Sequence, residues 1–542
     1  MPARHGWIAL ALAAELLGAC DLASLGETSG GPAVLTGRAG TRDPEILIVG
    51  RPEDAVYLDP ARPTDNESVE VLEQIYDPLI RYRPGSMTLE PGLASSWEVS
   101  PDGRRWTFHL VHDVRFHDGT PFDADAVVFS LERQRDPRHP FHRDDFLYWE
   151  NLYRGVQEVE KIDDYTVAIT IERSYAPFEA NMAMFPVAIV SPTAVARYGD
   201  EFPFHPVGTG PFRFVSWERG SRIVLERNPD YWGRAPAFAK LVFQVIRDAR
   251  QRLVALESSA IDIAYSILPE ELQFVALHPN LRLHETAANN VSYLAMNTLK
   301  PPFDNVEIRQ AVNYAINKEA IVKLVYQGLA VPADGPLPPN QWGYHRVREP
   351  YAYDPDRARA MLRAAAAAGR FDSQRTYTLY VPSTPRPYLQ DAEGVGHVLQ
   401  ANLDDVGLKV DLIYQPFRLH SQSIAMGEHD LCVMGWVGDN GDPDNFLYVL
   451  LDRDNTVPGL ARNVAFFRDS DVHYTLVQAQ ESDDRLDRER LYMKAQELIH
   501  QQAPWVPLAH SQVAVAARDD IGGMLLNPTG HVTYKDVRRL PQ

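Results

Sequence analysis

The chain has 542 residues, too many for one hydrophobic core, so more than one domain is expected. It is 45% hydrophobic, 23% charged and 10% aromatic, the composition of an ordinary globular protein. The net charge of -20, from 73 acidic against 53 basic side chains, argues against nucleic acid, whose phosphates need clustered Lys and Arg, and against lying flat on an anionic membrane.

Residues 1–20 read as an export signal. Arg4 and His5 give a short basic start, and Ile8 to Leu17 give an apolar stretch too short for a stable membrane span. Leu17-Gly18-Ala19-Cys20 resembles a bacterial lipobox, which makes Cys20 the expected lipid anchor and the periplasm the expected location, although Glu15 interrupts the apolar stretch. An ordinary cleaved signal with an incidental cysteine is the alternative. Residues 21–44 lack periodicity and read as a flexible tether.

Folded structure is expected from Ile46-Leu47-Ile48-Val49, a short apolar run suited to a buried strand. Trp97 to Val99 and Trp106 to Leu110 flank Pro101-Asp102-Gly103, which predicts a β-hairpin with Trp106, Phe108 and Leu110 on its buried face. Residues 167–171 read as another strand after the Asp163-Asp164 turn. Helices are expected to dominate the second half. Ile308, Ala311, Val312, Ala315 and Ile316 make one apolar stripe. Asp354-Pro355 starts a further helix that ends at Gly369. The class is mixed α/β.

Common enzyme signatures are missing: no G-x-S-x-G elbow, H-E-x-x-H helix or G-x-x-x-x-G-K-[ST] loop occurs. Only two cysteines are present, so a four-cysteine zinc site is excluded, and Cys432 lies in an apolar run that suits a buried structural thiol. His109, His112 and His117 fall on a strand and the turn after it, which favours different faces over a shared metal. The stretch 439–445 superficially resembles a calcium loop, but neither Asp439 nor Asp442 as first ligand gives the required ligand frame. No catalytic residue, metal or cofactor is expected.

Six stretches carry a family likeness: 114–122 (VRFHDGTPF), 207–212 (VGTGPF), 228–233 (NPDYWG), 306–318 (VEIRQAVNYAINK), 338–344 (PPNQWGY) and 435–446 (GWVGDNGDPDNF). In this order the set resembles the extracellular solute-binding proteins of family 5, the peptide/nickel-binding receptors of ABC importers, and within them the dipeptide-binding members. The resemblance implies a two-lobed periplasmic binding protein fold (type II-like, large cluster C) with a hinge and an extra domain on lobe one. Lobe one would comprise 45–84, 205–296 and 510–542, the extra domain 85–204, and lobe two 297–509. It also implies a monomer that hands its ligand to membrane permease subunits.

A dipeptide zwitterion carries an ammonium and a carboxylate roughly 6–7 Å apart along an extended chain. Enclosing it requires one fixed cation and one fixed anion, because an unpaired charge out of water is costly. By the resemblance, Arg386 takes the ligand carboxylate, with Tyr388 adding a hydroxyl or an aromatic wall. Asp439 takes the ammonium, Trp436 floors the pocket, and Gly438 lets the backbone approach. Asp442 joins the candidate set, although local turn and cap bonding to backbone N–H groups is its preferred reading and Asp439 is favoured over it. The rival ligands are a longer oligopeptide, glutathione, haem, a nickel complex or an oligosaccharide on the same fold. Rivals of another class are a periplasmic peptidase and an adhesin or signalling receptor.

Overall fold

The computed structural model describes residues 43–63 and 65–541. The expected signal, the anchor Cys20 and nearly all of the tether lie outside the described residues.

A 12-stranded sheet runs through the molecule. Its first half orders Val410–Gln415, Tyr377–Pro382, Leu431–Val437 and Asn290–Met296, and its second half orders Ile263–Ala264, Ile46–Arg51, Lys240–Val245, Arg222–Arg227 and Phe212–Glu218. The 14-residue strand Trp505–Arg518 joins them. Its start pairs with Asn290–Met296, and its end pairs with Ile263–Ala264 and Leu281–Ala287. The chain therefore passes between halves at 288–289 and again near 511–512, where Ala330 pairs with Ser511 and Ala287 with Gln512. Asn290–Met296, expected in lobe one, is hydrogen-bonded to Leu431–Val437 and so sits with the strands of 297–509.

Both faces of Asn290–Met296 are covered, which is why every residue in it is buried. Leu294 and Met296 enter one core; Val291, Tyr293 and Ala295 enter another. The helix Val306–Ala315 packs on the first of these through Ile308, Ala311, Val312 and Ala315, all fully buried as the apolar stripe requires. Pro355–Ala367 is capped by Asp354, whose Oδ1 accepts from the Arg357 N–H at 2.9 Å, and Gly369 follows it at φ +72°.

The segment expected as an extra domain builds its own core. Ala94–Val99 and Arg105–Leu110 form the hairpin, with Trp97 opposite Phe108 and Gly103 in the turn at φ 69°. Thr166–Ile171 and Val156–Asp163 complete a four-stranded sheet. Trp106, Phe108 and Leu110 are buried beneath it while Arg105, Thr107 and His109 remain partly exposed.

Candidate functional site

Strands Tyr377–Pro382 and Leu431–Val437 run parallel and adjacent, Leu379 opposite Leu431 and Tyr380 opposite Cys432. Their C-terminal ends therefore emerge at one edge, the position where open α/β sheets collect ligand-binding loops. The first loop carries Arg386 and Tyr388; the second carries Gly438, Asp439 and Asp442.

Arg386 and Leu389 exchange two backbone hydrogen bonds, of 3.0 and 2.8 Å, which tightens the first loop. The Arg386 guanidinium lies 4.0 Å over the Phe417 ring, and its buried Nε has no hydrogen-bond partner. Tyr388 is buried against Gly435, where any Cβ would overlap its ring. Burial pushes the Tyr388 phenol up to about 12, opposed by the neighbouring Arg386.

In the second loop, Asn445 ties Trp436 to Asp439. Its Oδ1 accepts from Trp436 Nε1 at 2.8 Å and from the Asp439 backbone N–H at 3.0 Å. A Cβ on Gly438 would overlap Asn289 and the Phe446 ring, so glycine is required for this close approach. Asn289 sits where the chain crosses between the sheet halves: it accepts from Gly438 N–H at 2.7 Å and donates through Nδ2 to Asn440 O at 3.1 Å. The hydroxyl of Tyr148, from the 85–204 segment, donates to Asp439 Oδ1 at 3.4 Å.

Asp439 has no ion-pair partner among the described residues. Desolvation pushes its carboxyl up to about 6, opposed by Asn445, Tyr148 and the more distant Arg462. A carboxylate held this way gains from any cation brought to it.

Asp439 and Gly438 line a cavity of about 180 Å³. Its other walls come from the helix Asn66–Ile75 and the residues after it, from 183–188, and from 527–535. Arg386, Tyr388 and Trp436 do not line it. Asp442 is turned away altogether: Arg488 Nη2 lies 2.8 Å from both its carboxylate oxygens, and Tyr492 donates to Oδ1 at 3.2 Å. Asp442, expected at the ligand site, is in a buried ion pair with Arg488 and does not line this cavity. The cavity also contains charged residues that local sequence did not single out, among them Arg81, Lys535 and His531.

The remaining candidates have other surroundings. Cys432 is fully buried and its thiol is pushed up by desolvation. His117 bonds Gly210 O at 3.0 Å and is pushed down to about 4 by burial, whereas His112 stacks on Tyr165. Asp452, Asp454 and His473 converge, but Asp452 already pairs with His473 at 3.0 Å and none of the three lines the cavity.

Several contacts bridge the 43–204 part of the chain and the 438–481 part around the cavity. Gly441 N–H donates to Tyr82 OH at 2.9 Å, Asn440 Nδ2 to Asn181 Oδ1 at 2.7 Å, Tyr175 OH to Asp444 Oδ2 at 3.0 Å, and Ala176 N–H to Gln480 O at 2.7 Å. No helix among the described residues is long and apolar enough to cross a membrane.

Residues 88–457 match the family described as bacterial extracellular solute-binding proteins, family 5 Middle. The chain belongs to this solute-binding family. Heme-binding protein A of Haemophilus influenzae is 34% identical over 486 residues, covering 86% of this chain and 87% of that protein. The dipeptide-binding protein of Escherichia coli is 34% identical over 479 residues, covering 85% of this chain and 88% of that one. The periplasmic binding protein DppA from Helicobacter pylori, solved with the peptide STSA, superposes with a TM-score of 0.77 at 32% identity, over 92% of this chain and 98% of that one. The fold of this family member is therefore the two-lobed periplasmic binding protein fold, mixed α/β as the sequence implied.

Proposed function

We propose that this protein is the receptor of an ABC importer and captures a short peptide, two residues long, between its lobes. Asp439 takes the α-ammonium and Arg386 the α-carboxylate. The observation that carries the reading is Asp439 itself: it lines the cavity, it has no ion-pair partner among the described residues, and its carboxyl is raised to about 6, so an arriving ammonium supplies a direct counter-charge. Arg386 complements it as a guanidinium without a carboxylate partner among the described residues, held over the Phe417 ring and able to bind a carboxylate through two parallel hydrogen bonds. Trp436 and Tyr388 shape the site through Asn445 and Gly435 rather than by lining the cavity. The relative named for dipeptides and the solved relative holding a peptide support the ligand class.

Lobe one comprises about 45–84, 205–287 and 512–542 with the extra domain at 85–204, and lobe two about 288–511, the hinge lying at the two crossings near Asn289 and Ser511. Ligand contacts on both lobes bias an open–closed equilibrium toward closed, which signals occupancy to the permease without chemistry. Cys20 is the lipid anchor after removal of residues 1–19, the tether reaches to about 44, and the receptor works as a monomer in the periplasm.

Calorimetric titration of the protein, first unfolded and refolded to strip carried-over ligand, tests the reading. Dipeptides bind at micromolar or tighter affinity, and Arg386→Ala and Asp439→Ala each abolish binding. Binding that survives both changes removes the site. Heat from haem or from longer peptides, with dipeptides silent, replaces the ligand.

A further inference from the structure

The cavity beside Asp439 is mixed in character, and its charges are not equally satisfied. Its acids are held by local donors: Asp439 accepts from Tyr148 OH at 3.4 Å but has no ion-pair partner among the described residues. Asp65 Oδ1 accepts from Ser68 N–H at 2.8 Å and caps the helix Asn66–Ile75. Glu73 pairs with His531 Nδ1 at 3.2 Å. Asp77 accepts from Thr209 Oγ1 at 2.9 Å and Trp232 Nε1 at 3.0 Å.

The bases are different. Lys535 lines the cavity, is half-buried, and has neither an ion-pair partner nor a hydrogen-bond partner among the described residues. Arg81 beside it commits Nε to Glu90 Oε1 at 3.0 Å. His531 is 8% exposed, and its Nε2 is buried without a hydrogen-bond partner. Burial opposes a charged ring there, but Glu73, with Glu70 and Glu67 behind it, raises its hold on a proton. A protonated His531 bonded through Nδ1 to Glu73 presents Nε2–H as a donor. The same cavity also has apolar lining, from Val69, Leu72, Met87, Met184 and Phe185.

We infer that this cavity is a side-chain pocket selective for a carboxylate on the residue whose ammonium pairs with Asp439, with Lys535 as the specificity-determining cation and Arg81 and His531 in support. The inference rests on the peptide reading above and deepens it. Asp439 and Lys535 share one cavity that Arg386 does not line, so the selected group belongs to the ammonium end of the ligand and not to its carboxylate end. An aliphatic stem packs on the apolar lining, and its terminal carboxylate gives Lys535 a direct ion pair, where burial and Arg81 disfavour the ammonium and Asp536, Asp77 and Glu90 support it without pairing. Burying an ammonium unpaired is costly, so a neutral ligand of the same shape leaves that cost unrelieved and an ammonium-bearing side chain adds repulsion. Two ligand types carry an extra carboxylate at the ammonium end: an N-terminal acidic residue, which sets it at the end of an aliphatic stem, and a γ-glutamyl dipeptide, which sets it on the carbon bearing the ammonium with no stem between.

Calorimetric titration of the full-length protein near pH 7.5 with Glu-Ala, γ-Glu-Ala, Gln-Ala, Lys-Ala and Ala-Ala tests this. One of the two acidic ligands binds at least about tenfold tighter than Gln-Ala, the preference that one buried charge pair supports, and Lys-Ala binds weakest. Which acidic ligand wins identifies the source of the carboxylate. In Lys535→Met, and in Lys535→Gln as an independent variant, the acidic preference falls toward one; in Lys535→Glu, Lys-Ala overtakes Glu-Ala. Equal affinity of wild-type protein for Gln-Ala and both acidic ligands overturns the inference without any variant, as does a preference that persists in folded Lys535→Met. Ala-Ala separates the two readings. If wild-type protein binds Ala-Ala but gains nothing from the acidic group, only the side-chain pocket fails; if neither Ala-Ala nor any acidic dipeptide binds, the peptide reading fails and takes the pocket with it.

Discussion

Arg488 reaches both carboxylate oxygens of Asp442, its Nη2 lying 2.8 Å from each, and neither residue is as much as a tenth exposed. Asp442 belongs to the loop that carries Asp439, and the pair ties that loop to the helix Arg485–Gln502. Gly441 O, in the same loop, accepts from Trp342 Nε1 at 2.6 Å, and Arg488 lies 5.0 Å from the Trp342 ring centroid.

Breaking this pair on one side leaves a buried charge uncompensated. Arg488→Met is expected to cost about 3–5 kcal/mol of stability, read from chemical denaturation. Asp442→Asn keeps the shape and is expected to lower stability while leaving dipeptide affinity within about twofold. Loss of binding in well-folded Asp442→Asn protein would return Asp442 to the ligand site.

Ligand affinity should depend on pH through Asp439. Its carboxyl is raised to about 6, so below that pH an arriving ammonium must first displace a proton. Affinity is therefore full above about pH 7 and falls by about tenfold on going to pH 5, and the dependence disappears in Asp439→Asn. The ligand-free fold responds in the opposite sense. Because the folded value lies above the ordinary 3.8, ionising Asp439 costs stability as pH rises through about 6, and bound ligand restores it. Titrations in buffers of different ionisation enthalpy measure the proton release directly. His531 shares the cavity, so a pH response that survives Asp439→Asn would reassign it to that ring.

The contacts between the two sides of the cleft should tune closure. Tyr175 OH donates to Asp444 Oδ2 at 3.0 Å, and Gln480 Nε2 donates to Oδ1 at 2.9 Å. Tyr175→Phe removes one hydrogen bond across the cleft, about 0.5–1.5 kcal/mol, and is expected to weaken ligand binding roughly 2- to 12-fold through faster release. Small-angle scattering should show a larger radius for the ligand-free variant. Unchanged release would mean that the Tyr175–Asp444 bond does not contribute to the closed state.

Gly438→Ala tests the close approach behind Asp439. The added carbon meets Asn289 Nδ2 and the Phe446 ring, both buried, so it forces a shift of the loop. An overpacking cost of about 1–3 kcal/mol is expected, with a loss of ligand affinity because Asp439 moves. Stability and affinity equal to wild type would show that the loop has room to spare.

How far the sequence reveals this arrangement depends on where each signal is stored. The hairpin at Ala94–Val99 and Arg105–Leu110 was readable because one face is buried and one is not, which imprints a period of two. The helix Pro355–Ala367 was readable because its cap, first-turn proline and terminal glycine are local. The strands Tyr377–Pro382, Val410–Gln415 and Trp505–Arg518 went unnamed: Val410–Gln415 is an edge strand with only Val410 buried, Tyr377–Pro382 alternates over just six residues, and Trp505–Arg518 changes partners along its length, so no simple alternation survives in it. Within the loop, Asp439 and Asp442 look alike in sequence. What separates them is Arg488, 46 residues beyond Asp442, and Tyr148, 291 residues before Asp439. Lys535 and Arg81 were invisible for the same reason: only the folded chain brings them into one cavity with Asp439.

The most direct test of the account compares a dipeptide with its N-acetylated form by calorimetry near pH 7.5, using wild-type protein and Asp439→Asn. Acetylation removes the ammonium and little else. The account predicts micromolar or tighter binding of the free dipeptide to wild-type protein, a loss of about 2–5 kcal/mol on acetylation, and a much smaller effect of acetylation in Asp439→Asn. Equal binding of the two forms to wild-type protein, or an acetylation penalty unchanged in Asp439→Asn, would contradict it.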